Sequence, residues 1–259
     1  MFMNITWLGT ACLLLEADGE RILFDPFLEL RGGEHPGALE DYLKEETIFI
    51  THGHFDHLYF IPEILEKGDA TVFCTDCPAR TLEKYAEDTQ NVVKIRIGDE
   101  ISIGDVRIKA LQGRHIVFDK RLVKHILNPR RLLKNGGNLP FLFWANRAFQ
   151  EKGETVAYHI RAEGKEILLF GSLNLDPETV YPEKVDLLIL PYQGSCELEK
   201  EAERFIRRLQ PKRILLTHFD DAFPPLSRNV DTRPLKKMMD EKYPQIPVVK
   251  PVYGKRVKI

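Results

Sequence analysis

Residues 47–60 read TIFITHGHFDHLYF, and this stretch decides the fold. Thr47–Ile50 is a β-branched and aromatic run of the kind that forms a buried strand. Within the six positions that follow Thr51, the chain sets His52, His54, Asp56 and His57. Imidazole nitrogen and carboxylate oxygen are the donors that suit Zn²⁺ and other borderline first-row ions. His52 and His54 are two apart in extended backbone, so both point the same way and can share one ion. Asp56 and His57 follow the turn into a helix and reach a second point nearby. Two adjacent ions can share one hydroxide, the two-metal arrangement for hydrolysis. The bland alternative is three exposed histidines in a polar loop. With only eight histidines in the chain, three beside one aspartate argue for metal.

One loop cannot close a metal site. His115 follows the strand-like VRIKALQ (106–112) and His218 follows KRILLT (212–217), so both stand just past apolar strands, where active-site loops gather in layered α/β proteins. They are the further candidate ligands. His35 in a Gly/Pro loop, His125 in a basic segment and His159 inside the strand AYHIRA are expected to play no part in the metal site.

The surrounding chain alternates. Apolar runs at 4–9, 11–17 and 20–26 are punctuated by Gly9, Gly19 and Pro26. A helix pattern over Leu58, Ile61, Ile64 and Leu65 stops at Gly68. Further strands are expected at 70–74, 91–97, 101–103, 106–112, 155–162, 166–172, 185–191, 212–218, 248–254 and 256–259, with helices at 79–88 and 198–209, the latter capped by Ser195. Strands first, then strand–helix alternation, predict sheets covered by helices in one domain over 1–259.

Composition bounds the function. A chain of 259 residues with 43% hydrophobic and 29% charged side chains is globular, and a net charge of −2 suggests neither nucleic acid nor an anionic membrane as partner. No apolar run approaches the length of a membrane span, so stable membrane insertion is not expected. The chain enters a strand-like stretch at once, with no signal-like segment before it, and four cysteines do not make a disulfide framework. A cytoplasmic enzyme acting on a small molecule is the expectation; oligomeric state is not readable. Cys74-Thr75-Asp76-Cys77 is a CxxC, but with no second pair it reads as small buried residues before a redox couple.

His52-x-His54-x-Asp56-His57 followed by distant strand-end histidines resembles the metallo-β-lactamase superfamily. The opening TWLGTACLLLEADGERILFDPF (6–27), LLFGS (168–172) and LLTHFDD (215–221) extend the likeness to its metal-dependent hydrolase branch, including the ascorbate-6-phosphate lactonase and N-acyl-phosphatidylethanolamine phospholipase D types. The resemblance implies a four-layer αββα sandwich. It implies that His52, His54 and His115 hold one ion, that Asp56, His57 and His218 hold a second, and that Asp25 in the DPF turn orients a ligand. The chain departs from the branch at two positions. Thr10 stands where a histidine is common, and Ser172 stands where many members carry an ion-bridging aspartate. The alternatives at the second position are a weakly held ion, or a gap filled by water, Asp176 or Asp220.

The segment 119–150 is the most individual part. Over 114–150, eight basic residues against the single acid Asp119 leave +7, and PFLFWANRAF (140–149) is strongly aromatic. It reads as an inserted lid, apolar beneath and basic at the rim, against the alternative of a helical pair that only packs on the body.

The expected function is a metal-dependent hydrolase in which metal-bound hydroxide attacks an ester, lactone, amide or phosphodiester of an anionic small molecule or lipid-like substrate. Zn²⁺, as one or two ions, is the expected cofactor, with Mn²⁺ or Fe possible, and Asp56 is the candidate for orienting or deprotonating the nucleophilic water. The rivals are an iron-dependent oxidoreductase on the same fold and a metal-binding protein with little catalysis.

Overall fold

The computed structural model describes residues 3–35, 37–123 and 128–259, so Lys124 and His125 of the basic segment lie outside the described residues. Among the described residues the strands form two seven-stranded sheets. In the first, β1 (Asn4–Trp7), β2 (Leu13–Ala17) and β3 (Glu20–Phe24) make an antiparallel meander. It continues in parallel through β4 (Thr47–Phe49), β5 (Thr71–Cys74) and β6 (Val92–Lys94). The second sheet repeats the plan. An antiparallel run β7 (Glu100–Ile103), β8 (Val106–Gln112), β9 (Val156–Ala162) and β10 (Lys165–Phe170) is followed by the parallel β11 (Leu187–Pro191), β12 (Ile214–Thr217) and β13 (Val248–Val249). The last strand, β14 (Arg256–Lys258), pairs antiparallel with β1 and completes the first sheet.

The burial of each strand explains its layer. β8 turns Val106, Ile108 and Ala110 inward while its alternate residues stay partly wet, the period-two pattern of a sheet with one dry face. β11 and β12 are buried at every residue, as parallel strands covered on both faces must be. The main core fills the space between the sheets, with Trp7, Phe24 and Phe49 from one and Ile108, Tyr158 and Ile167 from the other. Outside the first sheet, Leu23, Ile48 and Val72 are covered by α1 (Glu40–Leu43), α2 (Phe55–Leu58), α3 (Ile61–Lys67) and α4 (Asp76–Tyr85). Outside the second, α7 (Leu198–Leu209) and α8 (Arg233–Lys242) bury Ala202, Phe205, Leu235 and Met239, and the Phe205 ring meets Phe170 edge-on at 4.8 Å. The architecture is the αββα sandwich.

The inserted segment contains α5 (Pro129–Asn135) and α6 (Leu139–Ala148). α5 buries none of its residues, whereas α6 sinks Leu142 and Ala145 into the outer core beside Phe149. The aromatic run does not form one apolar underside, because Phe143 is 76% exposed. Several local expectations also need correction. Glu197, not Ser195, occupies the N-cap of α7; the Ser195 hydroxyl accepts the Glu197 N–H at 3.0 Å in a turn before the helix. Only Val248 and Val249 of 248–254 join a sheet, since Pro251 has no N–H to give a ladder. The sequence does not announce α8, since only Leu235, Met238 and Met239 make its buried face.

Two bonds from β9 tie the second sheet to the histidine loop, one of them from the Val156 N–H to the Thr51 carbonyl at 2.8 Å. The Tyr158 hydroxyl, fully buried in β9, donates to the Ile50 carbonyl at 2.7 Å. Tyr158→Phe should cost about 1–2 kcal/mol by leaving that buried carbonyl without its donor. The expected reading is a lower urea midpoint with an unchanged m-value.

Candidate metal centre

The candidate ligands sit just past strand ends, with His54 at the N-cap of α2 and Asp56 and His57 within it. The parallel β4 hands on to Thr51 and His52, β8 to His115 and β12 to His218, so loops from both sheets meet along one edge of the sandwich. Strand ends anchor each loop on one side, which is why side chains more than 160 residues apart in sequence can be held at one point. Asp25 follows β3 on the same edge, and Ser172 follows β10.

The structure brings the six together as two triads. One ligand atom each from His52, His54 and His115 lie within 4.8 Å of one another, and the same holds for Asp56, His57 and His218. The rings interlock: His52 and His57 have centroids 3.9 Å apart, and His54 and His115 4.4 Å apart. Together they line a cavity of about 190 Å³, with Asn146 of α6 and Gln193 also in its wall.

A hydrogen-bond network behind the triads decides which nitrogens are free. The Asp25 carboxylate accepts the Thr51 N–H at 2.8 Å and the Thr51 hydroxyl at 2.7 Å. With its proton committed, the Thr51 oxygen accepts from His52 Nδ1 at 3.0 Å, which leaves His52 Nε2 with a lone pair. Asp25 also lies 2.9 Å from His57 Nδ1, and the Ile116 carbonyl lies 2.9 Å from His115 Nδ1. Each bond places the proton on Nδ1 and turns Nε2 to the cavity. His52 Nε2 and His54 Nδ1 then face each other at 3.2 Å. Two converging imidazole nitrogens with no acidic partner between them fit a shared cation. Three side-chain donors per triad leave room for further ligands, the open pattern of catalytic rather than structural metal sites.

Electrostatics favour the unprotonated form of the first triad. Burial holds the His52 pKa well below its usual 6.5, brings His54 to about 4 and lowers His115. His57 moves up: burial opposes its charge, but Asp25 and Asp56 outweigh it. Asp56 moves down, since burial is overcome by His57 and by the His218 ring at 3.0 Å.

The remaining candidates hold loops in place. The Ser172 hydroxyl accepts the Ile116 N–H at 3.0 Å and so fixes the segment after His115. Asp176 is occupied by the N–H groups of Glu178 and Thr179, the Thr179 hydroxyl and Arg114. Asp220 accepts the Thr10 N–H at 2.8 Å, while the Thr10 carbonyl accepts the His218 N–H at 2.7 Å. Thr10 thus clasps His218, whose φ of 57° is a left-handed conformation that needs such support. Neither Asp176 nor Asp220 belongs to a triad, and Asp56 is the one carboxylate in either group among the described residues. His35 stacks on Tyr253 and His159 lies 2.9 Å from Glu166, both outside the triads. Cys74 and Cys77 are buried free thiols.

Thr51 and Gly171 escape a reading of the sequence alone. Thr51 looks like one more strand residue, and its role appears only once Asp25 is folded against it. A Cβ on Gly171 would collide with the Thr51 side chain, so the glycine lets β10 close onto this network.

For the metal-free protein the pKa shifts set a pH dependence. The unfolded chain protonates His54 near 6.5 and the folded chain near 4, so stability from this group is complete above 6.5 and is lost as pH falls toward 4. His52 and His115 act in the same direction, His57 titrates oppositely at higher pH, and Asp56 lies below the window. Between pH 7.5 and 4.5, the His54 share is on the order of 2–3 kcal/mol. Calorimetry of metal-free protein should show Tm falling by about 5–10 °C over that range.

Comparison with known proteins gives the arrangement a family. The profile of the beta-lactamase superfamily domain matches residues 4–218. A UPF0173 protein of Pyrococcus furiosus is 28% identical over 214 residues, 82% of this chain and 93% of its own. A UPF0173 metal-dependent hydrolase of Carboxydothermus hydrogenoformans is 27% identical over 220 residues, 84% of this chain and 85% of its own. Among solved structures, the metallo hydrolase Igni18 of Ignicoccus hospitalis shares the fold at a TM-score of 0.64 and 20% identity, covering 100% of this chain and 99% of that one. The profile match spans most of the chain and takes in all six candidate positions, and the chain belongs to the metallo-β-lactamase superfamily.

Proposed function

We propose that this metal-dependent hydrolase of the metallo-β-lactamase superfamily holds one ion with His52, His54 and His115 and a second with Asp56, His57 and His218. It cleaves an ester, lactone, amide or phosphodiester bond of an anionic small molecule. The observation that carries the reading is the pair of adjacent triads, each with an open side, at the floor of one cavity. Zn²⁺ suits a donor set of five imidazoles and one carboxylate. Ions of this type, when bound, lower the pKa of water toward neutrality and polarise the oxygen on which charge develops.

The chain's own groups do the positioning. Asp25 and Thr51 hold His52 and His57 with Nε2 forward, and the Ile116 carbonyl does the same for His115. Asp56 is ionised well below neutrality, so it is a weak base. Its task is to ligate and to accept a hydrogen bond from water, orienting it rather than taking its proton. α6, anchored by Leu142 and Ala145, brings Asn146 into the cavity wall and limits access from that side. No described helix is long and apolar enough to cross a membrane. The four free thiols accord with a cytoplasmic setting.

His52→Ala and His54→Ala should each strip most bound metal and abolish hydrolysis across a panel of lactones, acyl esters, amides and phosphodiesters. Wild-type metal content in both variants, read by elemental analysis, would reject the centre; iron in place of zinc would redirect the assay to oxidation.

Ser172 makes occupancy uneven. Its hydroxyl accepts the Ile116 N–H and supplies no carboxylate, which leaves Asp56 as the one acid, so the Asp56, His57 and His218 group should hold its ion less tightly. A chelator titration is expected to remove metal in two steps. In Ser172→Asp, one carboxylate oxygen can take the Ile116 N–H while the other faces the ions, and the two steps should merge. A single tight step in the unmodified protein contradicts this.

A further inference from the structure

A second cavity of about 210 Å³ adjoins the metal cavity, and Gln193 and Leu226 line both. Its other polar walls are Arg131, Arg228, Asn128 and Ser227, and no carboxylate lines it. The two arginines differ. Arg131 is already charge-paired: its Nη2 donates to the Ser227 carbonyl at 2.5 Å and lies within 3.0 Å of Asp221, whose oxygen also takes the Ser227 hydroxyl at 2.7 Å. Arg228 has no hydrogen-bond or ion-pair partner among the described residues and is only half-exposed. The Gln193 amide nitrogen, between the two cavities, is buried and also without a partner. Asn128 spends its carbonyl oxygen on the Arg130 N–H, which leaves its amide N–H groups free to donate.

A buried donor with no acceptor costs roughly 1–3 kcal/mol, and folded proteins keep few of them. Here one stands beside an unpaired guanidinium in a recess without acids. That combination of donors and positive charge is what a compact oxyanion requires, and guanidinium takes carboxylate and phosphoryl groups alike in a two-pronged bond. We propose that this recess is an oxyanion subsite. Arg228 and Gln193, with Asn128 at the rim, bind a carboxylate or phosphoryl group of the substrate while the scissile bond lies next door over the triads. The inference rests on reading the adjoining cavity as the hydrolytic centre, and it names the residues that select an anionic substrate. The segment 119–150 contributes through Asn128 and Leu122 at the recess rather than through Arg131, which is neutralised.

The test is calorimetric titration of inorganic phosphate, and separately acetate, into the metal-loaded protein, into Arg228→Gln and into Gln193→Leu. Phosphate affinity should fall at least about tenfold in Arg228→Gln and less in Gln193→Leu, with metal content unchanged. Acetate weakened in parallel identifies a subsite for either oxyanion; acetate too weak to detect, beside Arg228-dependent phosphate binding, identifies a phosphoryl subsite. Equal phosphate affinity in the unmodified protein and Arg228→Gln overturns the proposal, as does phosphate binding that tracks only metal content. Arg228-dependent phosphate binding in a protein that hydrolyses nothing in the panel would remove the hydrolase reading and leave the subsite standing.

Discussion

The contact on which the site depends is between Asp25 and Thr51. Asp25 adopts a left-handed φ of 46° at the end of β3, which aims its carboxylate across to the neighbouring β4. There it takes both the N–H and the hydroxyl of Thr51 and still reaches His57 Nδ1. All of these groups are essentially dry. A carboxyl group is tolerated in such a place because its oxygens meet three polar partners, and those same bonds set the tautomers of two histidines. Without Asp25, Thr51 would be free to rotate and His52 would lose the acceptor that keeps its proton off Nε2.

The sandwich supplies the rigid frame for this contact. Each sheet switches from an antiparallel meander to a parallel run, so both present strand carboxyl ends along the same edge. Tyr158 bridges from the second sheet to Ile50, one residue before Thr51, and Gly171 lets β10 close against the Thr51 side chain. His218, clasped through Thr10, enters from the far parallel strand. Precision at the triads therefore comes from four strand ends locked to one another, not from the histidine loop alone.

Charge is distributed with the same economy. Burial favours the neutral forms of His52, His54 and His115, which leaves their lone pairs available and makes the triad costly to protonate. In the basic segment, Arg114, Arg121 and Arg131 face acids and contribute little net field. The uncompensated Arg228 sits instead in a loop whose composition did not draw attention. Net charge over a segment counts side chains without regard to pairing, and it is the pairing that sets the local potential.

The chain's own letters determined a good deal. TIFITHGHFDH announced a strand running into a cluster of candidate ligands because an apolar β-branched run and closely spaced imidazoles are local facts. His115 and His218 were legible by their place after apolar strands, and the layered fold followed from alternating periods. What only the tertiary structure decided concerns partners distant in sequence. Asp25 with Thr51, Ser172 with Ile116 and Thr10 with His218 each join residues at least 26 positions apart. The partition of 114–150 into paired cations, an anchored α6 and an exposed α5 was likewise invisible. Spacing reports what one backbone segment can present; which proton, charge or lone pair remains unspent depends on the neighbour that packing brings to it.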